Sequence, residues 1–186
     1  MRVISGTFKG KKIQEPKNKL TRPLRDLTKE SIFNIISHSK KFNANLIGAN
    51  ILDLFSGVGS FGIECLSRGA KRVVFIENYE GVLPVLEKNL FNLKSANNYE
   101  IIKKNIYDKK TFSNINEKFD IIFLDPPFKE KNISIILDFI VEENIINSSG
   151  IIIIHRHKDE EEIFPHNLNV VEKKIYGKSK IFFFTG

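Results

Sequence analysis

From residue 50 onward, short continuous runs of apolar residues alternate with stretches in which apolar residues recur at helical spacing. Residues 51–55, 73–77, 99–102, 120–125 and 151–155 read as strands, and residues 59–67, 80–92 and 133–142 as the helices between them. Strands that are apolar at every position, rather than at alternate ones, are buried on both faces. Their alternation with helices predicts an α/β domain with a mostly parallel, doubly wound sheet. Residues 168–175 and 179–185, joined by Tyr176-Gly177-Lys178, break the alternation and predict a closing antiparallel hairpin.

The first 45 residues have a different character. Residues 2–5 and 7–13, with glycines at 6 and 10, suggest a small extended or hairpin element, and Pro16 and Pro23 keep the following chain open. A helix is expected from an N-cap at Asp26 to about Ser37, with Thr28, Ile32, Ile35 and Ile36 on one face. Residues 40–48 read as a connection. Residues 1–45 are therefore expected to form a small N-terminal extension, and residues 46–186 the main domain.

Charge sharpens this division. The net charge of +7 on 186 residues is not evenly spread. Residues 1–50 carry 11 Lys and Arg against three acids, whereas the remaining residues carry 18 against 19. A nearly neutral body with a basic arm is the electrostatic footprint of a polyanionic partner. The arm's Arg2, Lys9, Lys11, Lys12, Arg22 and Arg25 are the candidates for holding phosphates. Cys65 is the only cysteine, and His38, His155, His157 and His166 make no zinc pattern with it, so neither a disulfide nor a structural metal is expected. No apolar stretch approaches the roughly 20 residues of a bilayer span. A cytoplasmic monomer is expected.

The segment from Asp53 to Gly62 lies at a strand-to-helix junction, and Gly57, Gly59 and Gly62 satisfy G-x-G-x-x-G. Taken alone, this loop fits a dinucleotide as well as S-adenosylmethionine. Charge separates the two readings. A pyrophosphate at the helix N-terminus would be repelled by Asp53, whereas a sulfonium and an ammonium are better served by an acid there. Glu77, ending the next strand, offers two oxygens to ribose hydroxyls, and Asn105, after the third strand, can read an adenine amino group. Phe55, Asn78, Ile106 and Asp125 complete the expected cofactor surface. Parallel strands closed by a hairpin also suit a Rossmann-like class I methyltransferase better than a nicotinamide dehydrogenase.

Asp125-Pro126-Pro127-Phe128 ends the fourth strand. The lone pair of an exocyclic amino nitrogen is delocalised into its ring until its hydrogens are held and the lone pair is aimed out of plane. Asp125 and the Pro126 carbonyl can accept the two hydrogens, and the prolines fix the backbone without adding a donor. Phe128 offers a face for an extruded base, a contact worth about 1–3 kcal/mol. This chemistry fits guanine N2, adenine N6 and a glutamine amide alike. The absence of an obvious target-recognition domain argues against sequence-specific DNA modification, and the basic arm argues against a purely protein substrate. A non-catalytic RNA-binding assembly factor is the alternative outside enzymes.

Together, Arg2-Val3-Ile4-Ser5-Gly6, Lys9 to Ile13, Thr21-Arg22-Pro23, Asp26, Glu30, Phe33, Asn34, the glycine loop, Glu64 to Gly69 and Asp125 to Phe128 resemble the bacterial 16S rRNA guanine-N2 methyltransferases of the RsmD type. The resemblance spans nearly the whole chain. It implies a guanine of 16S rRNA as substrate, within the small ribosomal subunit or an assembly intermediate, and S-adenosylmethionine as cofactor. Two departures stand out. Leu27 and Lys29 occupy positions where family members usually carry arginines, and His155-Arg156-His157 stands where they carry an acidic residue.

Overall fold

Odd and even positions of the central strands face two separate hydrophobic layers. Ile51, Val73, Phe75, Ile121, Phe123, Ile151, Ile153, Ile181 and Phe183 belong to one. Leu52, Val74, Ile122, Leu124, Ile152, Ile154, Phe182 and Phe184 belong to the other. This two-sided burial explains why the strands are apolar throughout. The computed structural model describes residues 1–16 and 24–185.

The first layer is closed by α1 (Asp26–His38), α2 (Ser60–Ser67) and α3 (Leu83–Phe91), and the second by α4 (Lys109–Ser113) and α5 (Ile133–Glu142). The strands are β1 (Asn50–Leu54), β2 (Arg72–Ile76), β3 (Tyr99–Ile102), β4 (Phe119–Leu124), β5 (Ile146–His157), β6 (Asn169–Tyr176) and β7 (Ser179–Thr185). They form one sheet in the order β3-β2-β1-β4-β5-β7-β6. The first five pair in parallel, and β7 is antiparallel to both β5 and β6. This is a Rossmann-like methyltransferase fold, with the anticipated terminal hairpin turning at Gly177 (φ 58°).

Several boundaries differ from the sequence expectation. Arg25, not Asp26, is the N-cap of α1, and it makes no side-chain cap. Asp26 is the first helical residue, where its carboxylate faces the positive end of the helix dipole. Residues 79–82 form a turn rather than the start of α3. The helix α4 was not anticipated, because five residues are too few to show helical spacing. The N-terminal element is a looped arm with one isolated bridge, Arg2 to Lys12, rather than a pair of strands.

The arm is fastened by a buried acid. The Glu64 side chain, on α2, is fully buried and accepts hydrogen bonds from the Ile4 (2.8 Å) and Ser5 (2.9 Å) amides and from Arg68 Nε (2.9 Å). Lys29 Nζ lies 3.4 Å from the same carboxylate and donates to the Arg2 carbonyl at 2.8 Å. Burial lowers the Lys29 amine from its ordinary range. Lys29 is thus an internal strut between α1, α2 and the arm, which gives this half of the Leu27 and Lys29 departure a structural role. At Gly6 (φ 79°), an added Cβ would sit 1.8 Å from the Ser67 carbonyl oxygen, so the arm meets the end of α2 at a distance only glycine permits. Phe61 of α2 then stacks between Phe33 of α1 (5.1 Å) and Phe123 of β4 (4.0 Å), tying this layer to the sheet at β4.

Candidate active site

The C-terminal ends of β1, β2 and β4, with β5 and the β6–β7 turn, open into a cavity of about 790 Å³. Ligands of open α/β sheets bind at this end, where the strand order reverses between β1 and β4. One half of the cavity is lined by Asp53, Phe55, Ser56, Gly57, Val58, Ser60, Glu77, Asn78 and Tyr79. The other is lined by Leu24, Arg25, Leu27, Thr28, Asp125 to Phe128, His155 and Tyr176 to Ser179.

The glycine loop is built by local constraints. Phe55 adopts a left-handed φ of 56°, a conformation that stores about 1–3 kcal/mol in a non-glycine residue. Gly57 and Gly59, at φ 56° and 82°, then carry the chain into α2. Gly62 serves a different purpose. Its missing Cβ would lie 2.3 Å from the Phe75 ring, so it allows α2 to settle onto β2, while its amide donates to Asp53 Oδ2 at 3.0 Å. Ser56 Oγ donates to the carbonyls of Asp53 (2.7 Å) and Ile76 (3.1 Å), stitching the loop to β1 and β2.

The acids of this half are not equivalent. Asp53 is 1% exposed, and burial pushes its carboxyl well above the ordinary range despite the Gly62 hydrogen bond, with Asp125 and Glu77 adding to the rise. Glu77 accepts from the amides of Gly57 (2.8 Å), Asn78 (2.9 Å) and Tyr79 (2.9 Å). Three of its roughly four lone-pair sites are therefore taken. It locks the glycine loop to the turn after β2 and retains one site for a ligand, where sequence reasoning expected both oxygens to be available.

In the other half, Asp125 Oδ1 lies 2.8 Å from His155 Nδ1, and His155 Nε2 lies 2.9 Å from Ser179 Oγ. Arg156 points to the opposite face of β5. There, 1% exposed, it donates to the carbonyls of Pro127 (2.9 Å), Phe128 (3.2 Å) and Glu130 and pairs with the Glu162 carboxylate. The Phe128 ring meets the rings of His155 and His157 at centroid distances of 5.8 and 5.2 Å. The second departure from the family pattern is thus the scaffold of the Asp-Pro-Pro-Phe loop. Sequence reasoning noted these residues without assigning them this role.

The structure gathers Asp53, Phe55, Gly57, Glu77, Asn78, Asp125, Pro126, Pro127 and Phe128 around one cavity, with Gly59 capping the adjoining helix. Asn105 and Ile106 are not among the lining residues. Asn105 is exposed, with its Oδ1 accepting from the Tyr107 amide at 3.0 Å, and Ile106 is buried in the second layer. Of the expected phosphate ligands, Arg25 lines the cavity. Lys11 instead donates to the Asn92 carbonyl at 2.9 Å, and the arm beside it bonds to Ser67 at the far end of α2, roughly 10 Å along the axis from the cavity. Arg22 lies outside the described residues, as do Thr21 and Pro23.

Residues 1–185 match the family described as conserved hypothetical protein 95. The chain is 32% identical over 178 residues to ribosomal RNA small subunit methyltransferase D of Haemophilus influenzae, covering 95% of this chain and 89% of that one. It is also 32% identical over 175 residues to the protein of the same name from Buchnera aphidicola, covering 93% and 86% respectively. The chain belongs to the RsmD-type methyltransferase family. The solved structure of the Escherichia coli protein yhhF shares this fold with a TM-score of 0.82 at 25% identity, covering 100% of this chain and 97% of that one.

S-adenosylmethionine is the cofactor of this RsmD-type chain, and the glycine-loop half of the cavity suits it. Among the described residues lining that half, Asp53 and Glu77 are acidic and none is basic. Such a lining favours a cationic ligand and opposes a pyrophosphate. No helix among the described residues is long and apolar enough to cross a membrane.

Proposed function

We propose that the protein methylates the exocyclic N2 of a guanine in 16S rRNA, presented within the small ribosomal subunit or an assembly intermediate. The observation that carries this reading is the continuity of the cavity. One space joins the acidic glycine-loop half to Asp125 and Phe128, and its volume of about 790 Å³ suits a nucleoside-sized cofactor together with one base. The names of the Haemophilus and Buchnera relatives support ribosomal RNA of the small subunit as the acceptor.

When bound, S-adenosylmethionine supplies an electrophilic methyl group on a sulfonium. Asp53 and Glu77 hold its cationic and ribose portions, with Phe55, Gly57, Asn78 and Tyr79 shaping the surrounding wall. Asp125, with Oδ1 engaged by His155, presents Oδ2 to one hydrogen of the amino group, and the Pro126 carbonyl takes the other. This holds the amino lone pair out of the base plane. Phe128 stacks the extruded base, and Leu27, 79% exposed at the cavity mouth, adds an apolar edge. Positioning of this kind supplies much of the acceleration in a single displacement. Asp125 is also the group placed to take the proton shed by the nitrogen.

Two basic residues frame the mouth, Arg25 at the start of α1 and Lys178 in the β6–β7 turn. In this reading they hold the phosphates flanking the extruded nucleotide. The looped arm before α1, with Arg2, Lys9, Lys11 and Lys12, supplies further contacts to the RNA.

The test is Asp125→Ala with labelled cofactor and rRNA. Loss of at least about 100-fold in kcat with cofactor affinity retained is expected, because the variant loses an interaction made to the acceptor. Loss of cofactor binding together with transfer would overturn the assignment of Asp125 to the acceptor.

A further inference from the structure

We propose that His155 is a positioning residue for the reaction, acting through Asp125 and fixing which carboxylate oxygen meets the acceptor. This rests on the methyltransferase reading above and adds a residue to it. Asp125 and His155 follow Phe123 and Ile153 by two positions on adjacent strands, and Leu124 pairs with Ile154. Parity and register therefore place both side chains on the α1 side of the sheet, next to one another.

The His155 side chain is only 8% exposed, and both ring nitrogens are engaged, Nδ1 by Asp125 and Nε2 by Ser179. Ser179 Oγ is in turn 3.4 Å from Thr28 Oγ1 on α1. An ionised carboxylate only accepts hydrogen bonds, so the Nδ1 of a neutral imidazole carries the hydrogen and Nε2 accepts one from the Ser179 hydroxyl. The two contacts fix the ring from opposite sides, and its edge contact with Phe128 (72° between planes) fills the remaining side. Asp125 Oδ1 is committed to the imidazole. Oδ2 is left as the oxygen presented to the amino group, with the side chain held in one rotamer before the base arrives. Misplacement of an orienting group by about 1 Å can reduce rate by roughly 100-fold, so such an anchor has kinetic consequences without touching the substrate.

Three substitutions separate positioning from packing. His155→Phe preserves ring volume and the contact with Phe128 but removes both nitrogens. His155→Asn places an amide N–H near the Nδ1 position, and His155→Gln places one near Nε2. The expected pattern is a fall in kcat of about 10–100-fold for His155→Phe, with cofactor affinity unchanged, substantial recovery in His155→Asn, and none in His155→Gln. Nitrogen-15 NMR of the wild-type imidazole, which needs no turnover, is expected to show the Nδ1–H tautomer and a changed signal in Asp125→Asn. Wild-type kcat in His155→Phe, equal loss in the Phe and Asn variants, or an Nε2–H tautomer would overturn the proposal. If His155→Phe fails to fold, His155→Asn and the wild-type spectrum decide. Failure of the wild-type protein to methylate rRNA would instead count against the function proposed above, with the tautomer still reporting on the His155–Asp125 contact.

Discussion

Arg156 Nη1 donates to the Pro127 carbonyl at 2.9 Å from the interior of the protein, so β5 holds the Asp-Pro-Pro-Phe loop by its backbone. The same guanidinium serves Phe128, Glu130 and Glu162. Arg156→Ala is therefore expected to destabilise the protein by about 3–5 kcal/mol in urea unfolding, because it strands the largely buried Glu162 carboxylate. Arg156→Lys is expected to rescue poorly, since an ammonium cannot reproduce the planar fork.

Asp53 should make stability and cofactor affinity depend on pH in opposite directions. The unfolded chain ionises this carboxyl near 3.8, whereas burial delays ionisation in the folded chain. Above the unfolded value the folded state holds the extra proton, so stability falls as pH rises until the folded group ionises as well. Asp53→Asn keeps an acceptor for the Gly62 amide and removes this titration. Without cofactor, its Tm should decline less than that of the wild type as pH is raised from about 4 to 7. A cationic cofactor favours the ionised form, so wild-type binding should strengthen with pH and release protons. Calorimetry in buffers of different ionisation enthalpy measures that release.

The RNA contacts proposed at the cavity mouth and on the arm should separate kinetically. Lys178→Glu is expected to raise KM for RNA and to reduce the salt dependence of binding by about one unit of slope, with cofactor affinity unchanged. Lys11→Glu, remote from the cavity, should weaken RNA binding without lowering kcat at saturating RNA. Filter binding across a salt series, alongside steady-state kinetics, checks both.

Glu64 is the anchor of the arm. Glu64→Ala leaves Lys29 buried without its partner and frees the Ile4 and Ser5 amides, and should cost about 3–5 kcal/mol. Hydrogen exchange at those two amides should accelerate in the variant.

The central strands were legible because they are apolar on both faces, and the glycine loop and Asp125 to Phe128 because their chemistry is local in the chain. The pairing of His155 with Asp125 was not, since it depends on the register between β4 and β5. Only parity hinted at it: His155 continues the positions of Ile151 and Ile153. Lys29 looked like a surface cation because charge counts do not reveal the buried Glu64 beside it, whereas Lys11 does stay on the surface, its Nζ donating to the Asn92 and Leu93 carbonyls just past α3. The lone-pair accounting at Glu77 required the turn after β2, whose amides occupy the oxygens that sequence reasoning had left open.

The most direct measurement of the central claim is transfer of labelled methyl from S-adenosylmethionine to naked 16S rRNA and to small ribosomal subunits from a strain lacking the enzyme, followed by nucleoside mass analysis. The account predicts label in N2-methylguanosine of 16S rRNA. Label in N6-methyladenosine, or in protein alone, would contradict it.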